Sequence, residues 1–220
     1  MFIGHFGFGF AAKRVAPDVS LGVLLAAALL PDLLWAALLL AGLEQVRIAP
    51  GNTAFTPLAF VHYPISHSLW TVVGWSVLAA ALYQVWKPEV AGAWTISLLV
   101  ISHWVLDAVA HRPDLPILPG WNRLVGLGLW NSVGGTLIVE GGLFVVGVWL
   151  YLNVTRTRDA AGRYGLYALT ALLLGLYAAS AIGPAPPSVA AIAWSDLAAL
   201  LLLFWAGWVD CHREAVSAHN

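Results

Sequence analysis

Six stretches of about twenty residues with almost no charge limit what this 220-residue chain can fold into. They run over residues 20–43, 67–86, 91–111, 132–153, 164–182 and 189–208. A helix rises 1.5 Å per residue, so about twenty residues cross the ~30 Å hydrocarbon core of a bilayer. Inside that core each backbone N–H and C=O must be satisfied within the segment, and a helix does this at every residue. Charged residues make up 10% of the chain, where a soluble domain carries about 25%. The expected fold is therefore all-α: one polytopic integral membrane helical bundle over residues 1–220, with about six transmembrane helices. Residues 1–16 are apolar but too short to span. They end at Lys13 and Arg14, and we read them as a short segment embedded partway. No basic residue precedes that apolar start, which argues against a signal peptide.

Local chemistry adds detail. Pro31 lacks an N–H, so the first span is expected to break at Pro31-Asp32. Gly134, Gly135, Gly141, Gly142 and Gly147 lie on the fourth span, where small residues let helix backbones approach closely. A net charge of −1 gives no basic patch for nucleic acid, and a single Cys211 excludes an internal disulfide or a cysteine-based metal cluster. With six spans, one side carries Lys13, Arg14, Lys87, Arg156, Arg158, Arg163 and Arg213, and the other Arg47, Arg112 and Arg123. The excess of Lys and Arg predicts cytoplasmic termini, with the loops over 44–66 and 112–131 facing outward.

The residues that carry chemistry are those that lipid disfavours. His103, Asp107 and His111 follow an i, i+4, i+8 rhythm near the end of the third span, so a continuous helix presents all three on one face. Asp114 follows. Asp32 sits within the first span, and His62 and His67 flank the start of the second. The alternating direction of the spans brings these groups into one half of the membrane. A carboxylate isolated in lipid costs several kcal/mol and needs a partner. Imidazole with carboxylate suits Zn²⁺ or another first-row divalent ion. His5 can join only if the N-terminal segment enters from the opposite side. His212 and His219 lie in a polar tail and are read as solvated. Glu140, on the fourth span, is expected to matter less than the His cluster.

Gly4-His5, Leu30-Pro31-Asp32, His62-x4-His67-Ser68 and Ser102-His103-x3-Asp107 occur in that order. The series resembles the YdjM-like membrane-bound metal-dependent hydrolases of bacterial inner membranes, grouped with the zinc-dependent phospholipase C superfamily. The resemblance covers roughly residues 1–120, the metal-site half, and residues 121–220 add only helices. It implies an inner-membrane location and metal-dependent hydrolysis of a phosphoester, with His5, Asp32, His62, His67, His103 and Asp107 at the matching positions. The family's Pro-Asp-x-Asp-His becomes Pro31-Asp32-Leu33-Leu34-Trp35 here. His111 and Asp114 either replace the missing acid and His, or the chemistry is lost.

Together these readings predict a membrane-embedded, zinc-dependent hydrolase acting on a lipid or lipid-linked substrate. His5, Asp32, His62, His67, His103, Asp107 and His111 would be metal ligands, Asp114 a catalytic base and Arg112 a phosphate contact. The rival readings are a proton- or cation-coupled transporter using Asp32, Glu140 and Asp196, and a non-catalytic assembly protein.

Overall fold

A computed structural model describes residues 1–121 and 123–216, so His219 lies outside the described residues. The helices are α1 (Ile3–Ala12), α2 (Leu21–Leu40), the single turn α3 (Pro64–His67), α4 (Leu69–Trp86), α5 (Val90–Ala110), α6 (Val133–Val154), α7 (Ala160–Ile182) and α8 (Val189–Cys211). Six of them, α2 and α4 to α8, are long and apolar enough to cross a membrane. The all-α polytopic bundle follows directly. Exposed large apolar residues such as Val85, Leu98, Ile138 and Phe204 cover its outer faces, as lipid contact requires.

Polar residues set the helix starts. Ser68, Ser132, Asp159 and Ser188 each accept a hydrogen bond from a backbone N–H three residues on, opening α4, α6, α7 and α8. Pro31 does not break α2, which runs through it to Leu40. Dense packing of α2 against α1, α5 and α8 holds the helix over the weakened turn.

Short antiparallel pairs appear at the helix ends, where hydropathy gives no signal. Strand β1 (Gln45–Ile48) pairs with β2 (Leu58–His62), β3 (Leu115–Pro116) with β4 (Leu124–Val125), and β5 (Thr155–Thr157) with β6 (Arg213–Ala215). The first two pairs lie at one end of the bundle. The third lies at the other, with Lys13, Arg14 and Lys87.

The embedded segment is α1. Its far end is tied down by Lys13 Nζ, 2.5 Å from Asp210 Oδ2, and its start lies inside the bundle with Met1 buried. Residue 1 therefore sits among helices rather than beyond the membrane surface. Backbone meets backbone where α1 crosses α6: a Cβ on Gly7 would stand 2.5 Å from the Leu143 carbonyl, and one on Gly147 would overlap the Gly7 carbonyl. Gly147 is thus a packing glycine, as expected for this span. Gly134, Gly141 and Gly142 have no neighbour within 4 Å of a Cβ, and Gly135 lies beside its own Ser132 cap, so close helix packing does not explain those four.

Candidate metal centre

Four elements bring polar side chains to one point inside the bundle. Helix α5 supplies His103 and Asp107, one turn apart on a buried face. Helix α2 supplies Asp32, α3 supplies His67, and α1 supplies His5. His5, His67, His103 and Asp107 are almost fully buried, while the Asp32 side chain is 33% exposed and opens one side of the group.

His67 Nε2 and His103 Nε2 lie 3.3 Å apart, and Asp32 Oδ1 lies 3.4 Å from each. Asp107 Oδ2 flanks the same pair, at 3.1 Å from His103 Nε2 and 3.6 Å from His67 Nε2. The other Asp107 oxygen faces His5 Nε2 at 3.1 Å and also contacts the amino group of Met1. The His5 ring stacks on His103 with centroids 3.7 Å apart, and its Nδ1 is buried with no protein partner. Two triads arise, Asp32–His67–His103 and His5–His103–Asp107, with His103 common to both.

The outer hydrogen bonds set which nitrogen faces inward. His103 Nδ1 stands 2.8 Å from the Ala28 carbonyl, which can only accept, so Nδ1 carries the hydrogen. His67 Nδ1 lies 2.7 Å from Ser66 Oγ, which in turn donates to Glu44 Oε2 at 2.5 Å. The serine hydrogen is committed to the carboxylate, so His67 Nδ1 donates. Buried Glu44 also accepts from the backbone N–H groups of Ile65 and Ser66, pinning the turn that carries His67. In their neutral forms both imidazoles thus turn an Nε2 lone pair toward Asp32. Three electron-pair donors facing one another repel unless a metal ion or a proton stands among them. Metal-binding histidines are oriented through the other ring nitrogen in this way.

Several expected ligands lie elsewhere. His62 is exposed at the end of β2, where the strand gives way to the turn that carries His67, while Tyr63 after it is buried. His111 departs from the His103–Asp107 face because α5 ends at Ala110 and His111 is extended, with φ −65° and ψ 147°. Its ring packs against Phe60 and Trp130, with centroids 4.6 and 4.5 Å away. Its Nδ1 lies 2.9 Å from Asp114 Oδ1. Asp114 also accepts from Tyr63 at 3.2 Å and from Arg112 Nε at 3.2 Å, so both its oxygens are engaged. Burial, with Asp114 and Asp107 nearby, pushes the Tyr63 phenol well above its ordinary value and keeps it a neutral donor. The His111 and Asp114 side chains thus form a separate group beside the centre; Tyr63 bridges the two, its ring 5.4 Å from that of His67. Trp35 packs edge-on against His67 at 6.4 Å.

Glu44 and Ser66 escaped the sequence reading because their role depends on a loop closing. For Asp196 the sequence offers only a transport role. Gly22 on α2 packs against Leu203 and Gly207 on α8, and Ala36 shares an apolar cluster with Ile192 and Ala193. That antiparallel register sets Asp196 level with Asp32. Glu140, by contrast, accepts from the Phe2 and Gly4 backbone N–H groups at 2.8 and 3.4 Å and from Trp130 Nε1 at 3.3 Å. It receives the start of α1.

The chain matches no protein-family model, no curated protein and no solved structure.

Proposed function

We propose that this protein is a membrane-embedded, metal-dependent hydrolase, with Zn²⁺ the ion that fits best and a phosphoester of a lipid or lipid-linked molecule as substrate. One observation carries the reading: the nearly equilateral triangle of Asp32 Oδ1, His67 Nε2 and His103 Nε2, with edges of 3.3, 3.4 and 3.4 Å. Ligands about 2.0–2.1 Å from a tetrahedral zinc stand about 3.3–3.4 Å from one another. His103 has one free lone pair and belongs to both triads, which favours a single ion held by Asp32, His67 and His103, with Asp107 beside it. When bound, such an ion polarises a substrate oxygen and acidifies water.

The protein's own groups complete the reading. The Asp32 side leaves an approach to the centre. Asp196, level with it and without a hydrogen bond among the described residues, is a carboxylate free to hold a proton there. It replaces Asp114, whose oxygens are occupied. Arg112, with its side chain 42% exposed at the end of α5, remains suited to a phosphate. Along α5 and α2 the centre lies roughly 10–12 Å from the helix ends, a depth that a lipid-linked substrate reaches. The resemblance to YdjM-like hydrolases points the same way, through His5, Asp32, His67, His103 and Asp107. Transport is less well supported, because Glu140 is occupied in receiving α1. We place the protein in a bacterial inner membrane with the β5–β6 end in the cytoplasm, following the Lys and Arg excess.

Elemental analysis of detergent-purified protein tests the metal. One zinc per chain is expected, lost in His103→Ala and in Asp32→Asn proteins that still fold. Wild-type protein that takes up no metal even when zinc is supplied would end this reading. Metal-loaded protein inactive on every phospholipid and phosphodiester offered would leave the ion a structural part and end the hydrolase reading.

A further inference from the structure

At the end of the bundle away from the metal centre, the turn between α6 and α7 and the last strand form an open cavity of about 400 Å³. Three arginines line it, Arg156, Arg163 and Arg213, together with Thr155, Thr157 and Tyr167. The sequence explains the convergence. Strand β5 carries Arg156 straight off the end of α6, Arg163 lies in the first turn of α7, and β6 pairs back onto β5 with Arg213 opposite Thr157.

Arg213 is the unusual member. Its side chain is nearly fully buried, yet its hydrogen bonds go to neutral acceptors: Nε to Thr155 Oγ1 at 3.0 Å, Nη1 to the Gly162 carbonyl at 3.1 Å and Nη2 to the Thr155 carbonyl at 3.3 Å. Its guanidinium also lies over the Tyr151 ring, 5.3 Å from the centroid. Among the described residues no carboxylate pairs with Arg156, Arg163 or Arg213, whereas Arg158, nearby on the surface, has Glu214 at 3.6 Å. Three positive charges around one open cavity, one of them buried and none paired with a carboxylate, concentrate a positive potential that favours an anion there.

We propose that this cavity binds a phosphate group, carried by an anionic phospholipid headgroup or by a free phosphate. Guanidinium forks and threonine hydroxyls match phosphate oxygens in number and geometry. The setting favours the lipid source. Leu152 borders the cavity on the α6 side, and exposed Tyr164 and Tyr167 sit at the level where aromatic residues meet headgroups. Basic pockets between helix ends on the Lys- and Arg-rich side of a membrane take anionic headgroups by this chemistry. The inference is independent of the metal centre.

The test uses purified full-length protein and the variant Arg156→Gln/Arg163→Gln. Both side chains are exposed, so the fold should tolerate the change. Arg158→Gln serves as the control outside the cavity. Native mass spectrometry would follow retention of phosphatidylglycerol against phosphatidylcholine, and thermal melting would follow the effect of inorganic phosphate. Preferential retention of phosphatidylglycerol, weakened roughly thirty-fold in the double variant and unchanged in the control, supports the site and identifies a lipid source. Stabilisation by inorganic phosphate that the double variant loses, without a preference for phosphatidylglycerol, supports the site with a free phosphate. Equal retention of the two lipids with no effect of phosphate overturns the proposal. So does binding that survives intact in the double variant.

Discussion

His67 and His103 face each other through Nε2 at 3.3 Å, each with its Nδ1 already engaged, one by Ser66 and the other by the Ala28 carbonyl. Two neutral imidazoles held this way present lone pair to lone pair. The arrangement makes sense as a cradle for a cation, and it separates residues that hold the cradle from residues that only surround it.

The first prediction uses that separation. His62→Ala and His111→Ala should keep full metal content, because His62 is exposed and His111 belongs to the group around Asp114. His67→Ala should lose metal. Elemental analysis of the three variants, with circular dichroism as the fold control, decides the point. Loss of metal in His62→Ala would mean that the β1–β2 end closes over the centre differently.

Ser66 is a positioning residue. Replacing it by Ala leaves His67 Nδ1 without its acceptor and Glu44 without its hydroxyl donor. Loss of such an outer partner typically weakens metal binding about 10- to 100-fold. Competition with a chelator should show that weakening in Ser66→Ala with the zinc stoichiometry retained at saturation. An unchanged affinity would remove the relay from the site.

Glu140 should act through α1 rather than through the ion. Its carboxylate accepts two backbone N–H bonds and the Trp130 indole, and hydrogen bonds to charged groups contribute about 1.5–3 kcal/mol each. Glu140→Gln keeps one acceptor oxygen, so a loss of about 1–3 kcal/mol is expected, with faster hydrogen exchange confined to α1. Full loss of metal from a protein with α1 still protected would place Glu140 in the centre itself.

Asp159 gives a pH signature at the opposite end. The Gly162 backbone N–H, followed by His212 at 2.7 Å, holds its carboxyl below the ordinary value of 3.8. A depressed carboxyl stabilises the fold above its unfolded value, and that contribution is lost as pH falls through the folded value. Melting curves of wild type and Asp159→Asn should therefore converge below about pH 4 and separate above it, the wild type being more stable. Curves that remain parallel across this range would show that the cap contributes nothing through its charge.

Hydropathy and helical period are local properties, so they were legible along the chain. The six spans, the embedded character of residues 1–16, and the shared face of His103 and Asp107 all follow from neighbours within a turn or a bilayer width. What depended on distant segments meeting did not follow. The rhythm that puts His111 with His103 needs helical backbone at His111, one residue beyond the end of α5. The motif that joined His62 to His67 could not show that His62 would lie exposed at the end of β2. Pro31 suggested a break that packing against α1, α5 and α8 prevents. Glu44 reaches Ser66, and through it His67, only because a loop folds back, and Asp196 comes level with Asp32 only through the α2–α8 register that the close approach of Gly22 to Gly207 permits. Local hydropathy sets which elements can cross a membrane and which polar residues they carry. Tertiary packing decided which of those residues share a site, because a centre of a few ångströms is defined by contacts between segments that the chain order leaves far apart.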